Sequence, residues 1–298
     1  MSFQSEKKPD PSPPACRLRA GTSGYSYAEW TDAGVYPAAT PPGRMLPFYA
    51  RFFSIVELNY TWYQMPKPQA LERLASQVPP DFRFTDKLTR SLTHEVEPAQ
   101  WRGEVSRYRD GISVLMQSGQ LMAVLAQFPP GFDRVLKNRN FLAELLDELD
   151  GIPLAVEFRH RSWAHDRVFD ELARRKITLV TVDTPPLPGL FPGLDIVTNP
   201  ELFYIRLHGR NARGWRSGNM QNQFDYHYTD DQLFELADGP VTTMARQAKR
   251  GVMFFNNHVR GQAAENAQTF VGKLVECGLM KKTTRNQTTE TWTATLFT

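Results

Sequence analysis

Residues 154–183, LAVEFRHRSWAHDRVFDELARRKITLVTVD, carry a strand pattern, a helix pattern and a second strand pattern in direct succession. The runs LAVEFR (154–159) and TLVTVD (178–183) are short and mostly apolar, as strands buried on both faces are. HDRVFDELARRK (165–176) lies between them and has the composition of a helix. A strand–helix–strand succession of this kind predicts two parallel strands joined by a crossover helix.

The same alternation extends in both directions along the chain. Strands are predicted over 17–24, 55–59, 82–88, 122–128, 154–159, 178–183, 203–209 and 251–257. Helices are predicted over 45–53, 66–77, 101–119, 138–150, 165–176, 229–250 and 262–277. The sixth unit is irregular, because TPPLPGLFPGLD (184–195) holds too much proline and glycine for a helix. Eight units predict one α/β domain, a (β/α)₈ barrel of the TIM type, and the alternative is an open doubly wound sheet.

The ends of two helices carry recognisable signals. Thr229 stands directly before Asp230 and Asp231 and is predicted to be the N-cap of the helix over 229–250. Gly278 follows the last helix and can serve as its stop. We therefore expect the barrel domain to span 17–278. The flanking segments 1–16 and 279–298 are polar and are expected to be disordered tails.

Composition excludes several classes of protein. No apolar run approaches the roughly 18 residues that a membrane helix needs, and no signal-peptide pattern is found. The two cysteines, Cys16 and Cys277, have no metal-type spacing, so a reducing, cytoplasmic location is expected. The net charge is +3, but residues 1–20 and 279–298 each carry +2, which leaves −1 for the body. Nucleic acid is therefore a disfavoured partner, although a local basic patch stays open.

Polar side chains gather at the carboxyl ends of the predicted strands, where the active sites of such barrels lie. Alternation along each strand predicts which side chains share a face. The candidates are Glu57, Asn59, Lys87, Gln127, Glu157, Arg159, Asp183, Arg206, His208 and one of Asn256 and Asn257. The loops add His94, His160, Trp163, Arg210, Asn211, Tyr226 and Tyr228.

Two alternatives stay open for these groups. One is a structural ion-pair network, with Glu157 paired to Arg159 and Glu57 to Lys87. The other is a divalent metal site. Its ligands would be Glu57, Glu157, Asp183 and His208, an oxygen-rich set with one imidazole. No cofactor motif such as GxGxxG or GxxxxGK[ST] is present, so no cofactor is predicted and a divalent metal is the sole alternative.

An ordered series of motifs is similar to the domain-of-unknown-function 72, or YecE-like, family. It runs through GTSGYSYAEW (21–30), FFSIVELNYTWYQMP (52–66), FRFTDKLTRSLTHE (82–95), LAQFPPGF (125–132), AVEFRHRSW (155–163), VDTP (182–185), YIRLHGRN (204–211), YHYTDDQL (226–233) and MFFNNHVRGQAAENAQTF (253–270). The resemblance implies a TIM-type barrel. The sequence departs from the family pattern at His258, where members usually carry an acid, and at NYTWY (59–63).

These observations lead to one expected function and two alternatives. We expect an enzyme that acts on a small polar or anionic ligand, such as a sugar phosphate or nucleotide, by acid–base chemistry. Glu57, Glu157, Asp183 and His208 are the expected catalytic residues. The expected ligand-binding residues are Asn59, Lys87, His94, Gln127, Arg159, His160, Arg206, Arg210 and Asn257. The alternatives are a metal-dependent phosphodiesterase or isomerase and a non-catalytic module that binds nucleic acid or a partner.

Overall fold

The computed structural model describes residues 16–281. Within this range eight strands form one parallel sheet: β1 (Arg17–Thr22), β2 (Ile55–Leu58), β3 (Arg83–Lys87), β4 (Leu121–Gln127), β5 (Leu154–Glu157), β6 (Thr178–Asp183), β7 (Phe203–Leu207) and β8 (Arg250–Phe255). The strand order is β1-β8-β7-β6-β5-β4-β3-β2, so strands that follow each other in sequence are neighbours and β1 and β2 form the two edges. The predicted (β/α)₈ barrel is thereby confirmed.

The barrel closes between β1 and β2 through a few specific contacts. Ser23 and Glu57 form a parallel bridge, and the Gly24 amide donates to the Glu57 carbonyl at 2.8 Å. The Tyr49 hydroxyl accepts from the Thr22 amide at 2.9 Å and donates to the Ile55 carbonyl at 3.1 Å. Gly21 is required here, because a Cβ at this position would lie 2.4 Å from the Ile55 oxygen. Close backbone approach therefore replaces a regular ladder at this seam.

Helices surround the sheet. The α-helical segments are α1 (Glu29–Asp32), α2 (Pro42–Tyr49), α3 (Tyr60–Tyr63), α4 (Pro68–Ala75), α5 (Trp101–Gln117), α6 (Leu136–Glu148), α7 (Asp166–Arg174), α8 (Ala212–Arg216), α9 (Met220–Gln223), α10 (Asp230–Leu236), α11 (Thr242–Ala245) and α12 (Gln262–Glu276). Short 3₁₀ turns cover Arg90–Leu92, Arg161–Trp163 and Val259–Gly261. None of the helices within 16–281 has the length and apolar character needed to cross a bilayer.

The structure modifies the predicted helices in two places. The segment predicted as one helix over 229–250 is divided into α10, a π-helical turn (Ala237–Val241) and α11. Pro240 lies in the π turn and lacks the N–H of a regular helix, which explains the wider turn. The short helices α1, α3, α8 and α9 lie in loops that the sequence patterns left unassigned.

Several local predictions are confirmed. Thr229 caps α10 in a capping box, in which its hydroxyl accepts from the Gln232 amide at 3.3 Å and the Gln232 side chain accepts from the Thr229 amide at 3.1 Å. Gly278 follows α12 with a φ of 71°, and no helix forms over 184–195. Disordered tails are predicted over 1–16 and 279–298, and of these residues 1–15 and 282–298 lie outside the described part of the chain.

Candidate functional site

The centre of the site is the guanidinium of Arg206, which points from β7 into the barrel and is 1% exposed. Its Nη2 and Nε donate to the two carboxylate oxygens of Glu57 on β2, at 2.7 and 3.0 Å. Its Nη1 donates to Oε2 of Glu157 on β5 at 2.7 Å. One cation therefore binds two fully buried acids that come from well-separated strands.

Glu157 has two further partners. The Arg159 Nε lies 2.5 Å from Oε1 of Glu157, and the His208 Nε2 lies 3.3 Å from the same oxygen. Burial by itself would raise the pKa of Glu157, but Arg159 and Arg206 outweigh burial and hold that pKa well below its usual range. Glu157 is thus a permanently charged counter-ion. Its low pKa does not favour the predicted role in acid–base catalysis.

His208 completes this group, which we call the strand-end cluster: Glu57, Glu157, Arg159, Arg206 and His208. The Arg159 Nη2 lies 3.2 Å from Nε2 of His208, and Asn256 Nδ2 lies 3.0 Å from its Nδ1. Burial, followed by the charge of Arg159, lowers the pKa of His208 to about 3. The imidazole is therefore neutral at physiological pH and orients its neighbours rather than carrying a charge.

Other contacts hold Glu57 in place. The Tyr204 hydroxyl donates to Oε2 of Glu57 at 2.5 Å, and Thr85 Oγ1 lies 3.0 Å from that hydroxyl. Both lie on inward positions of their strands. The predicted ion-pair alternative is thus half right, since Glu157 does pair with Arg159, whereas Glu57 pairs with Arg206 and not with Lys87.

Lys87 differs from the other cations of the site. Among residues 16–281 no carboxylate or hydrogen-bond acceptor pairs with its Nζ, which lies 5.0 Å from the centre of the Trp62 ring. The side chain is enclosed by the barrel mouth but retains some exposed area. Burial, then the charge of Arg206, lowers the pKa of Lys87 to about 7. At neutral pH this amine is divided between its charged and neutral forms.

Two more predicted residues, His94 and Gln127, border Lys87 or the strand-end cluster, and a third, Asn59, stands directly before α3. His94 lies edge-on to Trp62 at 5.0 Å, and its Nδ1 lies 2.8 Å from Thr93 Oγ1. Burial and the charge of Lys87 lower the pKa of His94 to about 4. Gln127 lies beside Glu157 in the sheet register and donates to the Phe128 carbonyl at 2.8 Å. Asn59 Oδ1 is buried without a hydrogen-bond partner among the described residues.

Two aromatic side chains of the loop after β7 cover the cluster. The Trp215 ring lies 5.3 Å from the Arg159 guanidinium carbon, and the Phe224 ring centre lies 6.0 Å from that of His208. The indole nitrogens of Trp215 and Trp62 are both buried without a partner in the part of the chain that the structure describes. The sequence patterns did not indicate Trp62, Trp215 and Phe224 as candidates. Their position in loops that follow strands β2 and β7 was the available signal.

Five predicted residues are placed away from the strand-end cluster: Asp183, Arg210, Tyr226, Tyr228 and Asn257. Asp183 accepts two hydrogen bonds from Arg210 Nε at 3.0 Å and one from Nη2 at 2.7 Å, and a third group, the Tyr228 hydroxyl, donates to it at 2.7 Å. Asn257 donates to the Tyr226 carbonyl at 2.8 Å and to Asn266 of α12 at 2.9 Å. Asn256 therefore takes the inward position that alternation left open between the two, and Asn257, predicted to bind the ligand, contacts α12 instead.

His160 has a local role in the loop after β5. Its Nδ1 lies 2.7 Å from Ser162 Oγ, at the start of a 3₁₀ turn. Trp163 stacks on Phe158 at 4.6 Å and donates its indole N–H to the Phe132 carbonyl at 2.7 Å. Both side chains shape the loop, and Trp163 is a packing residue.

The four predicted metal ligands do not form one set, because Glu57, Glu157 and His208 meet in the strand-end cluster whereas Asp183 lies apart. Asp183 is held by Arg210 and Tyr228, and Arg206 occupies the space between Glu57 and Glu157. Within residues 16–281 no group of three or more His, Cys, Asp or Glu side chains is arranged to hold a metal ion. The predicted set of Glu57, Glu157, Asp183 and His208 is therefore not a ligand set in this structure, because arginines already neutralise its acids.

Asp86 is a buried acid that the sequence analysis missed. It points from β3 toward α5, where the Tyr108 hydroxyl donates to its Oδ1 at 2.8 Å, and Oδ2 has no partner among the described residues. Burial raises the pKa of Asp86 to about 7. The native state therefore binds more protons than the unfolded chain between about pH 4 and 7, so stability is lost as the pH rises through this window.

The free energy of unfolding of Asp86→Asn, relative to that of the wild type, is expected to increase by about 2 kcal/mol between pH 5 and 7. Urea unfolding at several pH values measures the difference. Asp170→Asn, at an exposed position of α7, is the matched control and is expected to show no such trend. A constant difference between Asp86→Asn and the wild type across this range would contradict the prediction.

Two curated proteins are similar to the chain over much of its length. The UPF0759 protein YunF of Bacillus subtilis (strain 168) is 28% identical over 259 residues, which cover 80% of this chain and 90% of that protein. The UPF0759 protein YecE of Escherichia coli (strain K12) is 26% identical over 189 residues, which cover 61% of this chain and 64% of that protein.

Solved structures agree with the fold described above. A DUF72 family protein from Thermotoga maritima MSB8 has a TM-score of 0.78 and 37% identity, covering 87% of this chain and 99% of that one. Another from Enterococcus faecalis V583 has a TM-score of 0.79 and 26% identity, covering 89% of this chain and 97% of that one. Residues 19–289 match the family model described as "Protein of unknown function DUF72". The chain therefore belongs to the DUF72 family.

Proposed function

We propose that this protein is an enzyme that acts on a small polar anion of the sugar phosphate or nucleotide class, bound at the carboxyl ends of the strands. The observation that carries the proposal is the charge balance. The two acids of the strand-end cluster, Glu57 and Glu157, are matched by two cations, Arg206 and Arg159. Lys87 is a third cation beside them, and no acid among the described residues pairs with it. An anionic ligand beside Lys87 would complete the balance.

The groups around Lys87 suit a ligand with oxygen atoms and a flat or hydroxylated surface. Arg159 is 8% exposed and is the accessible guanidinium of the strand-end cluster. The unpartnered indole N–H groups of Trp62 and Trp215 are hydrogen-bond donors, and their rings can stack on a sugar or a base. Asn59 adds an unpartnered acceptor for a hydroxyl group.

In this proposal Lys87, and not Glu157 or His208, carries out the acid–base chemistry. A proton carrier works best when its pKa lies near the working pH, and the pKa of Lys87 is about 7. The pKa values of Glu157 and His208 lie far from neutrality. We therefore assign these two residues to orientation and charge balance. Both cysteines are free thiols, which fits the proposed location in a reducing compartment.

Anion affinity is expected to fall as the pH rises above about 7, because only protonated Lys87 attracts an anion. The decrease should approach about tenfold per pH unit. Calorimetric titration with inorganic sulfate, whose charge is constant between pH 6 and 9, measures this dependence. The pKa values of His94, about 4, and of Glu157, well below its usual range, lie outside this window.

Two variants make this experiment specific to Lys87. Lys87→Arg keeps a charge at every pH and is expected to bind sulfate with a flat pH profile. Lys87→Met removes the charge and is expected to lose binding. Glycerol 1-phosphate, titrated in the same way, tests the phosphate ester class. If neither sulfate nor glycerol 1-phosphate binds the wild type, or if Lys87→Met binds them equally well, the proposed function is wrong.

A further inference from the structure

We propose that Lys87 Nζ is a nucleophile that forms an imine with an aldehyde or ketone group of the substrate. This inference rests on the proposed function and adds the substrate class, which is an anionic carbonyl compound. Lys87 is then a catalytic residue that bonds covalently to the reacting carbon.

The surroundings of Lys87 leave its amine free to react. The carboxylates that could hold it as an ammonium ion, Glu57 and Glu157, are already paired with arginine side chains at 2.5 to 3.0 Å. The Lys87 backbone is fixed, because Thr61 Oγ1 donates to its carbonyl at 2.9 Å. The amine faces the Trp62 ring and not a protein acceptor within the described residues.

The charges around Lys87 favour the neutral, nucleophilic form of the amine. Burial has the largest effect on Lys87 and favours the neutral amine. Arg206 and Arg159 also disfavour a third positive charge, whereas Glu157 and Glu57 favour it. An arginine at this position would serve to bind an anion, but its guanidinium is not nucleophilic. A lysine desolvated beside other cations is the arrangement that activates an amine for attack on a carbonyl.

The step is balanced without an added oxidant or reductant. The Nζ lone pair attacks the carbonyl carbon, a C–N bond forms as the C–O π bond breaks, and one amine proton passes to the oxygen to give a carbinolamine. The remaining C–O bond then breaks, the hydroxyl group leaves as water with the second amine proton, and the C=N bond of the imine forms. The imine nitrogen withdraws electrons from the neighbouring carbon, which makes a proton or a carbon group there easier to remove. Water reverses the sequence and releases the product.

Borohydride trapping tests the imine directly. The full chain is incubated at pH 7 with glycolaldehyde phosphate and sodium borohydride, which reduces an imine to a stable secondary amine. Peptide mass spectrometry then locates the adduct. An ordinary exposed amine has a pKa near 10.4, so we expect Lys87 to be labelled at least about tenfold more than the exposed lysines Lys67 and Lys137. Lys87→Arg is expected to lose this adduct. Equal labelling of all three lysines, or an unmodified Lys87, would overturn the proposal.

Glycerol 1-phosphate, which lacks the carbonyl group, separates this inference from the proposed function. Lys87→Arg is expected to keep binding glycerol 1-phosphate in calorimetry while it forms no adduct with glycolaldehyde phosphate. Binding of glycerol 1-phosphate by the wild type, without a trapped adduct at Lys87, would refute the imine and leave the proposed function intact. Absence of both binding and trapping would refute both.

Discussion

Arg206→Met is expected to lower the free energy of unfolding by about 3–5 kcal/mol, the range typical when one partner of a buried ion pair is removed. The reason is that Glu57 and Glu157 are fully buried and share this one guanidinium. Arg159 still pairs with Glu157, so the larger penalty falls on Glu57. Urea unfolding at pH 7, followed by circular dichroism, measures the loss.

Two comparisons make the Arg206 prediction specific. Arg206→Lys is expected to recover only part of the loss, because an ammonium group does not reproduce the forked contacts to three carboxylate oxygens. Arg210→Met removes the cation from the partly exposed pair with Asp183 and is expected to cost less. A free energy of unfolding for Arg206→Met within 1 kcal/mol of that of the wild type would show that the interior tolerates unpaired acids.

Lys87→Met is expected to raise the free energy of unfolding at pH 7, by about 3–4 kcal/mol. The pKa of Lys87 is lowered from 10.5 in the unfolded chain to about 7 in the native state. The unfolded chain therefore binds more protons between these values, and the wild type gains stability as the pH rises from 7 to about 10.5. The advantage of Lys87→Met disappears over the same window.

Thermal and urea unfolding between pH 6 and 10.5 measure the gap between Lys87→Met and the wild type. Lys137→Met, which removes an exposed lysine at the start of α6, is the matched control and is expected to be neutral. If Lys87→Met is less stable than the wild type at pH 7, the amine is stabilised by contacts that outweigh its burial. The expected combination of higher stability and lost anion binding is typical of a residue kept for function.

Much of the fold follows from the sequence, since apolar runs and helical patterns mark all eight strands and most helices. Alternation also places Glu57, Lys87, Glu157, Arg159, Arg206 and His208 on inward positions, as the structure confirms. Their pairing did not follow, because which acid meets which cation depends on the distance across a closed barrel. That distance is a property of the whole fold.

The errors at the strand ends have a common physical cause. Phe254 and Phe255 of β8 are both buried, so the apolar pattern does not show which of Asn256 and Asn257 continues the inward face. Strand β6 is also buried on both faces, so its apolar pattern does not show whether Asp183 points into the barrel. Asp86 was missed because its partner, Tyr108, lies on a helix 22 residues further along the chain.

The contact between β2, β5 and β7 through Arg206 also affects when the barrel can fold during synthesis of the chain. During synthesis Glu57 and Glu157 leave the ribosome long before Arg206 does. A nascent chain that ends before β7 has no Arg206 to bind Glu57, so burying that acid in a partial barrel is costly. Stable closure is therefore coupled to the arrival of the last two strands. For the same reason, fragments that divide the chain between β5 and β7 are expected to fold only when they are combined.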